Sequence, residues 1–158
     1  MIIDTLQEFC TFFKTKQPLI SIDYGQKKIG LAISTPNHQM SLPLQLLTGD
    51  SEKKKLNHIV EITKNKNICA IVVGFPLNMD GTKSNQTIIV EKFVEKLEKR
   101  TNLPIFFQDE RLTSRAADNL LKSFGIKRKN RNENDDLTAA SMILETTLNA
   151  RQSLPNLT

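Results

Sequence analysis

Acidic side chains stand at three separated points of the chain, each beside an apolar or helical pattern. Asp23 follows the apolar run PLISI and comes two residues before a glycine. A second apolar run, LPIFFQ, is followed by Asp109 and Glu110. The last helical pattern opens with Asp135 and Asp136. Two carboxylates roughly 4 Å apart repel each other by about 4 kcal/mol at an effective dielectric constant of about 20. If the fold brings these three acidic positions together, we therefore expect a cation between them.

The ligand chemistry of these acids favours a hard divalent cation. Oxygen ligands with no His or Cys beside them select Mg²⁺ or Mn²⁺, which is the expected cofactor. Two such ions about 3.5–4 Å apart can activate water and stabilise the leaving oxygen in phosphodiester hydrolysis.

Spacing leaves open which member of each acidic pair takes part. Neighbouring residues of a strand face opposite sides, so Asp109 and Glu110 cannot both face one site if the strand reaches them. Asp135 and Asp136 would also stabilise the first turn of a helix by about 0.3–1 kcal/mol without any metal.

The elements that must bring these acids together alternate in a recognisable order. Three predicted strands at 18–25, 29–34 and 41–48 have short connections, which is typical of an antiparallel meander. Predicted helices then alternate with the apolar strands ICAIVVGF and LPIFFQ. The helices cover residues 51–66, 84–100 and 113–123, and the last begins at Asn134. The order predicts an α/β fold with a mixed β-sheet flanked by helices, in which the first and last strands can be neighbours.

The N-terminal segment carries a pattern of its own. Apolar residues at spacings of three and four predict an amphipathic helix over residues 2–14. We interpret this helix as an addition that docks on the core of the domain.

Composition limits which partners and which cellular location we expect for the protein. The chain has 158 residues, 39% of them hydrophobic and 25% charged, as in globular domains. No apolar run approaches the roughly 20 residues that cross a bilayer, so we expect no membrane partner. Cys10 and Cys69 are too few for a disulfide framework, which fits a cytoplasmic protein. The net charge of +5 and the basic stretch from Lys122 to Arg131 are compatible with a nucleic-acid partner.

Four segments resemble the motifs of the YqgF (RuvX) family, in the order that the family has them. Residues 23–32 look like its DxGxKxIGxA opening, and residues 73–81 resemble its GxPxxxxG loop. Residues 109–113 are similar to its DERLT signature, and residues 136–144 to its DxxAAxxIL helix. Together the motifs lie within residues 19–148, nearly the whole chain apart from the N-terminal segment.

The resemblance implies an RNase H-like fold and a metal-dependent nuclease. Members of the family are described as nucleases of pre-16S ribosomal RNA and, earlier, as Holliday junction resolvases. The family's catalytic and metal-binding triad falls on Asp23, Glu110 and Asp136. The implied organisation is a helical extension at 1–17, a nuclease domain at 18–150 and a C-terminal tail at 151–158.

Further residues are expected to contact the substrate. Asn78 lies in the glycine-flanked loop. Arg111 is expected either to pair with Asp109 or to bind phosphate through its planar guanidinium. The remaining candidates are basic residues that would hold backbone phosphates, unless they only form a solvated face. They are Lys127, Arg128, Lys129 and Arg131.

Two questions stay open at the level of sequence. The substrate is either a ribosomal RNA precursor or branched DNA, and a junction enzyme would be expected to act as a homodimer, whereas an RNA nuclease can be a monomer. A second class of function is a nucleic-acid-binding or transcription-associated factor whose acidic cluster is only structural.

Overall fold

The computed structural model describes residues 1–111 and 133–155, and for residues 133–136 it describes the backbone alone. In this part of the chain there are six strands and four helices. The strands are β1 (Ile2–Ile3), β2 (Leu19–Tyr24), β3 (Lys28–Ser34), β4 (Ser41–Thr48), β5 (Ala70–Phe75) and β6 (Ile105–Asp109). The helices are α1 (Leu6–Cys10), α2 (Glu52–Asn65), α3 (Asn85–Glu98) and α4 (Glu133–Gln152).

The strands form one mixed sheet in the order β1-β6-β5-β2-β3-β4. β2, β3 and β4 are an antiparallel meander. β5 and β6 run parallel to β2, and β1 runs parallel to β6. The predicted mixed α/β fold is confirmed. The expectation that the first and last strands are neighbours is wrong, because β5 lies between β2 and β6 and pairs with both.

Helices cover both faces of the sheet, and strand alternation decides which side chains each face receives. Even-numbered residues of β2 and odd-numbered residues of β5 pack in the cluster that contains α2 and α3. The opposite side of the sheet, which we call the α4 face, carries Leu19, Ala70 and Val72 against Ile143 and Leu144 of α4. The alternation extends to Asp23 near the end of β2, and Glu110 directly follows the last residue of β6.

Side chains that bond to free backbone N–H groups fix where α2 and α3 begin. Ser51 accepts a 3.3 Å hydrogen bond from the N–H of Lys54. Ser84 and Thr87 form a reciprocal capping box at the start of α3. The predicted starts of both helices are therefore confirmed.

The N-terminal segment differs from the predicted single helix over residues 2–14. Ile2 and Ile3 pair with Ile105 and Phe106 of β6, and the helix is only Leu6–Cys10. Apolar spacing cannot reveal this, because the open edge of β6 supplies the hydrogen bonds that draw the first residues into the sheet.

No helix among the described residues is long and apolar enough to cross a membrane. The predicted helix at 113–123 and the basic residues Lys127, Arg128, Lys129 and Arg131 lie outside the described residues.

Candidate active site

Asp23 stands at the end of β2 on the α4 face. Leu19 and Ser21, which precede it at intervals of two, face α4, and the Ser21 hydroxyl donates a 2.7 Å hydrogen bond to the carbonyl of Ala140. Alternation along β2 directs Asp23 to the same side. Its neighbour Tyr24 faces α2 and α3 instead.

Glu110 follows β6 directly and belongs to the same face. Gln108 accepts a 2.9 Å hydrogen bond from the Thr147 hydroxyl of α4, which fixes the direction of the even-numbered residues. Glu110, two residues further on, hydrogen-bonds with Asp23 across β5. The structure therefore brings Asp23 and Glu110 together and directs Asp109 elsewhere.

The Glu110 side chain is half-buried, and the pKa of its carboxyl is raised. Burial away from water, followed by the charge of Asp23 and the hydrogen bond with it, raises the pKa of Glu110 from 4.5 to about 8. At neutral pH and without a metal ion, this raised pKa favours the protonated form of Glu110. Asp23 and Glu110 therefore form a pair of oxygen ligands that a positive charge would stabilise.

The donor set of this pair fits a hard divalent cation. Among residues 1–111 and 137–155, no group of three His, Cys, Asp or Glu side chains could hold a metal ion. Asp136, the third predicted ligand, lies in α4 one helical turn before Ala140, the residue that Ser21 bonds. Its side chain lies outside the described residues, so the pair formed by Asp23 and Glu110 is the part of the predicted triad that the structure describes.

Arg111 and Asp109 form the salt bridge that was one of the two expectations for Arg111. Arg111 Nη2 lies 2.6 Å from Asp109 Oδ2, and Arg111 Nε donates to both carboxylate oxygens. These hydrogen bonds from Arg111 lower the pKa of Asp109. Arg111 Nη1 also donates to the carbonyl of Met79 at 3.1 Å, so this arginine ties the end of β6 to the loop after β5.

Asn78 lies inside that loop and is held by it. Its Nδ2 donates to the Thr82 hydroxyl at 3.0 Å, and its backbone N–H donates to the Thr82 carbonyl at 2.9 Å. Gly81 closes the turn with a φ of 87°, which favours glycine. Contact of Asn78 with substrate stays a prediction.

Sequence reasoning missed a polar network directly behind Asp23. The Tyr24 hydroxyl donates to Glu52 Oε1 at 2.7 Å, and Lys96 Nζ donates to Glu52 Oε2 at 2.6 Å. The Tyr24 ring packs on Phe93 with ring centroids 4.4 Å apart. The network joins the end of β2 to α2 and α3, and the only signal for it in the sequence is that Tyr24 must face away from Asp23.

The fold is the RNase H-like fold that RuvC-like resolvases and nucleases share. Thermus thermophilus RuvC in complex with a Holliday junction substrate superposes with a TM-score of 0.55 at 16% identity, over 87% of this chain and 96% of that chain. The large terminase nuclease from phage G20c superposes with a TM-score of 0.51 at 11% identity, over 83% of this chain and 81% of that chain.

The chain belongs to the RuvX family. The family model described as "RuvX: Holliday junction resolvase" matches residues 17–150. A relative from Rickettsia bellii, named "Putative pre-16S rRNA nuclease", is 53% identical over 154 residues, which is 98% of this chain and 100% of the relative. A relative of the same name from Rickettsia conorii is 48% identical over 154 residues, with the same coverage. The resemblance seen in the sequence is confirmed, and the class is that of hydrolytic nucleases.

Proposed function

We propose that the protein is a divalent-metal-dependent endonuclease that processes the 5′ end of pre-16S ribosomal RNA. The observation that carries this proposal is the half-buried pair of Asp23 and Glu110, which meet across β5 at the ends of the parallel strands β2 and β6. Bringing two carboxylates together in a half-buried site is costly unless a cation accompanies them.

The residues divide the work between holding the cation and holding the substrate. Asp23, Glu110 and Asp136 would hold Mg²⁺ or Mn²⁺, which supplies an activated water and stabilises the leaving oxygen in phosphodiester hydrolysis. Glu110 must lose its proton before it can act as a ligand, and Asp23 keeps its carboxylate aimed at the same space.

The substrate would be held mainly through its phosphates. Lys127, Arg128, Lys129 and Arg131 would contact the backbone with little dependence on sequence, and Arg111 and Asn78 would border the path of the strand. The net charge of +5 favours the approach of a polyanion.

A ribosomal RNA precursor is favoured by the names of the relatives that match over nearly the full chain. Four-way DNA is the second candidate, because the family description and the RuvC complex both refer to Holliday junctions. A junction resolvase needs two sites and would be a homodimer. A cytoplasmic location is part of the same proposal and agrees with the free cysteines Cys10 and Cys69.

The test compares cleavage of a ribosomal RNA precursor and a four-way junction of equal length, with Mg²⁺, with Mn²⁺ and with chelator. We expect metal-dependent RNA cleavage that Asp23→Asn reduces by more than about 100-fold, since even residues that merely orient metal ligands affect activity by 10–100-fold. Asp50→Asn removes a charge from an exposed residue outside the site and is the matched control.

The outcomes separate the candidate functions. Preference for the junction, with a dimer in solution, would replace the RNA proposal by the resolvase. Binding of either substrate without metal-dependent cleavage, in a preparation free of contaminating nuclease, would favour the non-catalytic factor.

A further inference from the structure

The carboxyl of Glu110 occupies the space where β5 lacks a side chain. Ile22 pairs with Val73, so Gly74 comes next in register beside Asp23, and Gly74 itself pairs with Gln108 of β6. A Cβ atom placed on Gly74 would lie 2.6 Å from Glu110 Oε1 and 2.7 Å from Glu110 Cδ. Both distances are far shorter than any van der Waals contact between such atoms.

Backbone conformation does not explain the glycine. Among the described residues, the glycines with positive φ are Gly49 and Gly81, and Gly74 is an ordinary strand residue. Every other residue of β5 carries a side chain, and glycine inside a strand weakens it. The remaining explanation is the space above the backbone.

Strand geometry shows why that space matters. β2 and β6 lie on either side of β5, so their backbones are about 9–10 Å apart. Asp23 and Glu110 can meet only above the strand between them, and Gly74 stands at that crossing. Glu110, the longer side chain, reaches over Gly74 to hydrogen-bond with Asp23.

We propose that Gly74 is a positioning residue. Because it has no side chain, it leaves the space in which the Glu110 carboxyl meets Asp23 and would bind the metal. The inference rests on the proposed function for its catalytic consequence, because only a metal site needs the two carboxylates in one place. Any larger residue at position 74 would displace the Glu110 carboxyl from this space, while the backbone of β5 would stay in the sheet.

A second neighbour must be separated from Glu110 in the test. The same Cβ atom would lie 2.6 Å from Ile143 Cδ1 of α4. Both clashing groups are ends of flexible side chains, so Gly74→Ala is expected to fold. Glu110→Asp shortens the carboxylate side chain by one methylene, and Ile143→Val removes the clashing methyl of α4.

The experiment measures Mn²⁺ affinity by titration calorimetry at one pH for the parent and four variants. The variants are Gly74→Ala, Glu110→Asp, Gly74→Ala/Glu110→Asp and Gly74→Ala/Ile143→Val. Gly74→Ala is expected to weaken Mn²⁺ binding by about 10–100-fold, the range seen when ligand orientation is lost. Glu110→Asp should restore part of this loss in the Gly74→Ala background, and Ile143→Val should restore none. Full affinity in Gly74→Ala, or rescue by Ile143→Val, would overturn the inference.

Controls exclude the possibility that a loss of Mn²⁺ binding comes from unfolding of the variants. Each variant is unfolded with urea in chelator to show a cooperative transition. If Gly74→Ala folds only together with Glu110→Asp, the result supports the role of Gly74 in making room for the Glu110 carboxyl. If it folds only with Ile143→Val, packing against α4 is the cause and the inference fails. A parent that binds Mn²⁺ but cleaves neither RNA nor DNA would end the proposed function and leave this inference standing. A parent that binds no Mn²⁺ would end both.

Discussion

The Tyr24 hydroxyl donates a 2.7 Å hydrogen bond to Glu52 Oε1 and thereby joins the end of β2 to the first turn of α2. Burial of the phenol, followed by this hydrogen bond and the charge of Glu52, raises the pKa of Tyr24 well above its usual range. Tyr24 precedes the β2–β3 turn and directly follows Asp23, so the hydrogen bond also braces the strand end that carries the acid.

Tyr24 is the single tyrosine of the chain, and there is no tryptophan, so its ionisation can be followed without interference. We expect phenolate absorbance in the folded protein to appear at higher pH than in denaturant, where tyrosine ionises near its free value of about 10. Glu52→Gln removes the negative charge and should move the folded titration to lower pH. Equal titration curves for the parent and Glu52→Gln would contradict the assigned contact.

The raised pKa of Glu110 predicts how the free energy of unfolding changes with pH when no metal is present. Its pKa is raised in the folded protein from 4.5 to about 8, so between these values the folded state binds more protons than the unfolded state. Stability contributed by the protonated carboxyl is therefore complete below about pH 4.5 and is lost as the pH rises towards 8. Urea unfolding in chelator, at several pH values, measures this decline.

Glu110→Gln supplies the matched control for the pH series. Its neutral amide cannot ionise, so the decline between pH 4.5 and 8 should be smaller than in the parent. Mg²⁺ or Mn²⁺ should stabilise the parent increasingly as the pH rises, because each ligand must be deprotonated to bind. A parent whose stability grows across this pH window in chelator would show that Glu110 is not held as described.

Arg111 offers a prediction about substrate binding. Its side chain and that of Asp109 are 30% and 37% exposed, so their salt bridge should contribute little to stability. Arg111→Gln is expected to weaken RNA binding and to reduce the slope of log K against log salt by about 0.7, the value for one phosphate on a single strand. Filter binding at several salt concentrations measures the slope.

Lys83, beside the loop after β5 that Arg111 contacts, provides a comparison for Arg111. It pairs with Glu91 at 3.2 Å and also borders the glycine-flanked turn. Lys83→Gln removes the same charge from a residue that lies further from the acidic pair in the chain. Equal effects of the two substitutions would mean that Arg111 acts only through general charge, and an unchanged slope in Arg111→Gln would leave it as a tie between β6 and the loop.

The contrast between Glu110 and Gly74 shows what sequence could and could not reveal about the site. Strand alternation limited the choice between Asp109 and Glu110 to one, and family resemblance indicated Glu110, the residue that the structure brings to Asp23. Gly74 was visible only as a member of a loop motif. Its relation to Glu110 depends on which strand lies between β2 and β6, and this order is a property of the whole sheet.

The fold shows the same division between local and long-range information. The meander of β2, β3 and β4 and the capped starts of α2 and α3 follow from short patterns, and they were predicted. The pairing of Ile2 and Ile3 with β6 joins segments about a hundred residues apart and was missed, because an apolar pair fits a strand and a helix equally well.

The N-terminal segment gives the last prediction, which concerns stability. Phe9 is fully buried, stacks on Phe106 with centroids 5.2 Å apart, and meets Phe13 edge to face at 5.3 Å. Phe9→Ala should lower the free energy of unfolding by about 3–5 kcal/mol, the usual cost of a cavity left by a buried phenylalanine. Urea unfolding measures the loss, with Phe12→Ala, a half-buried neighbour on the same segment, expected to cost clearly less. Equal costs would mean that Phe9 is not packed as described, whereas the expected difference would show that Phe9 belongs to the apolar cluster that packs against α4.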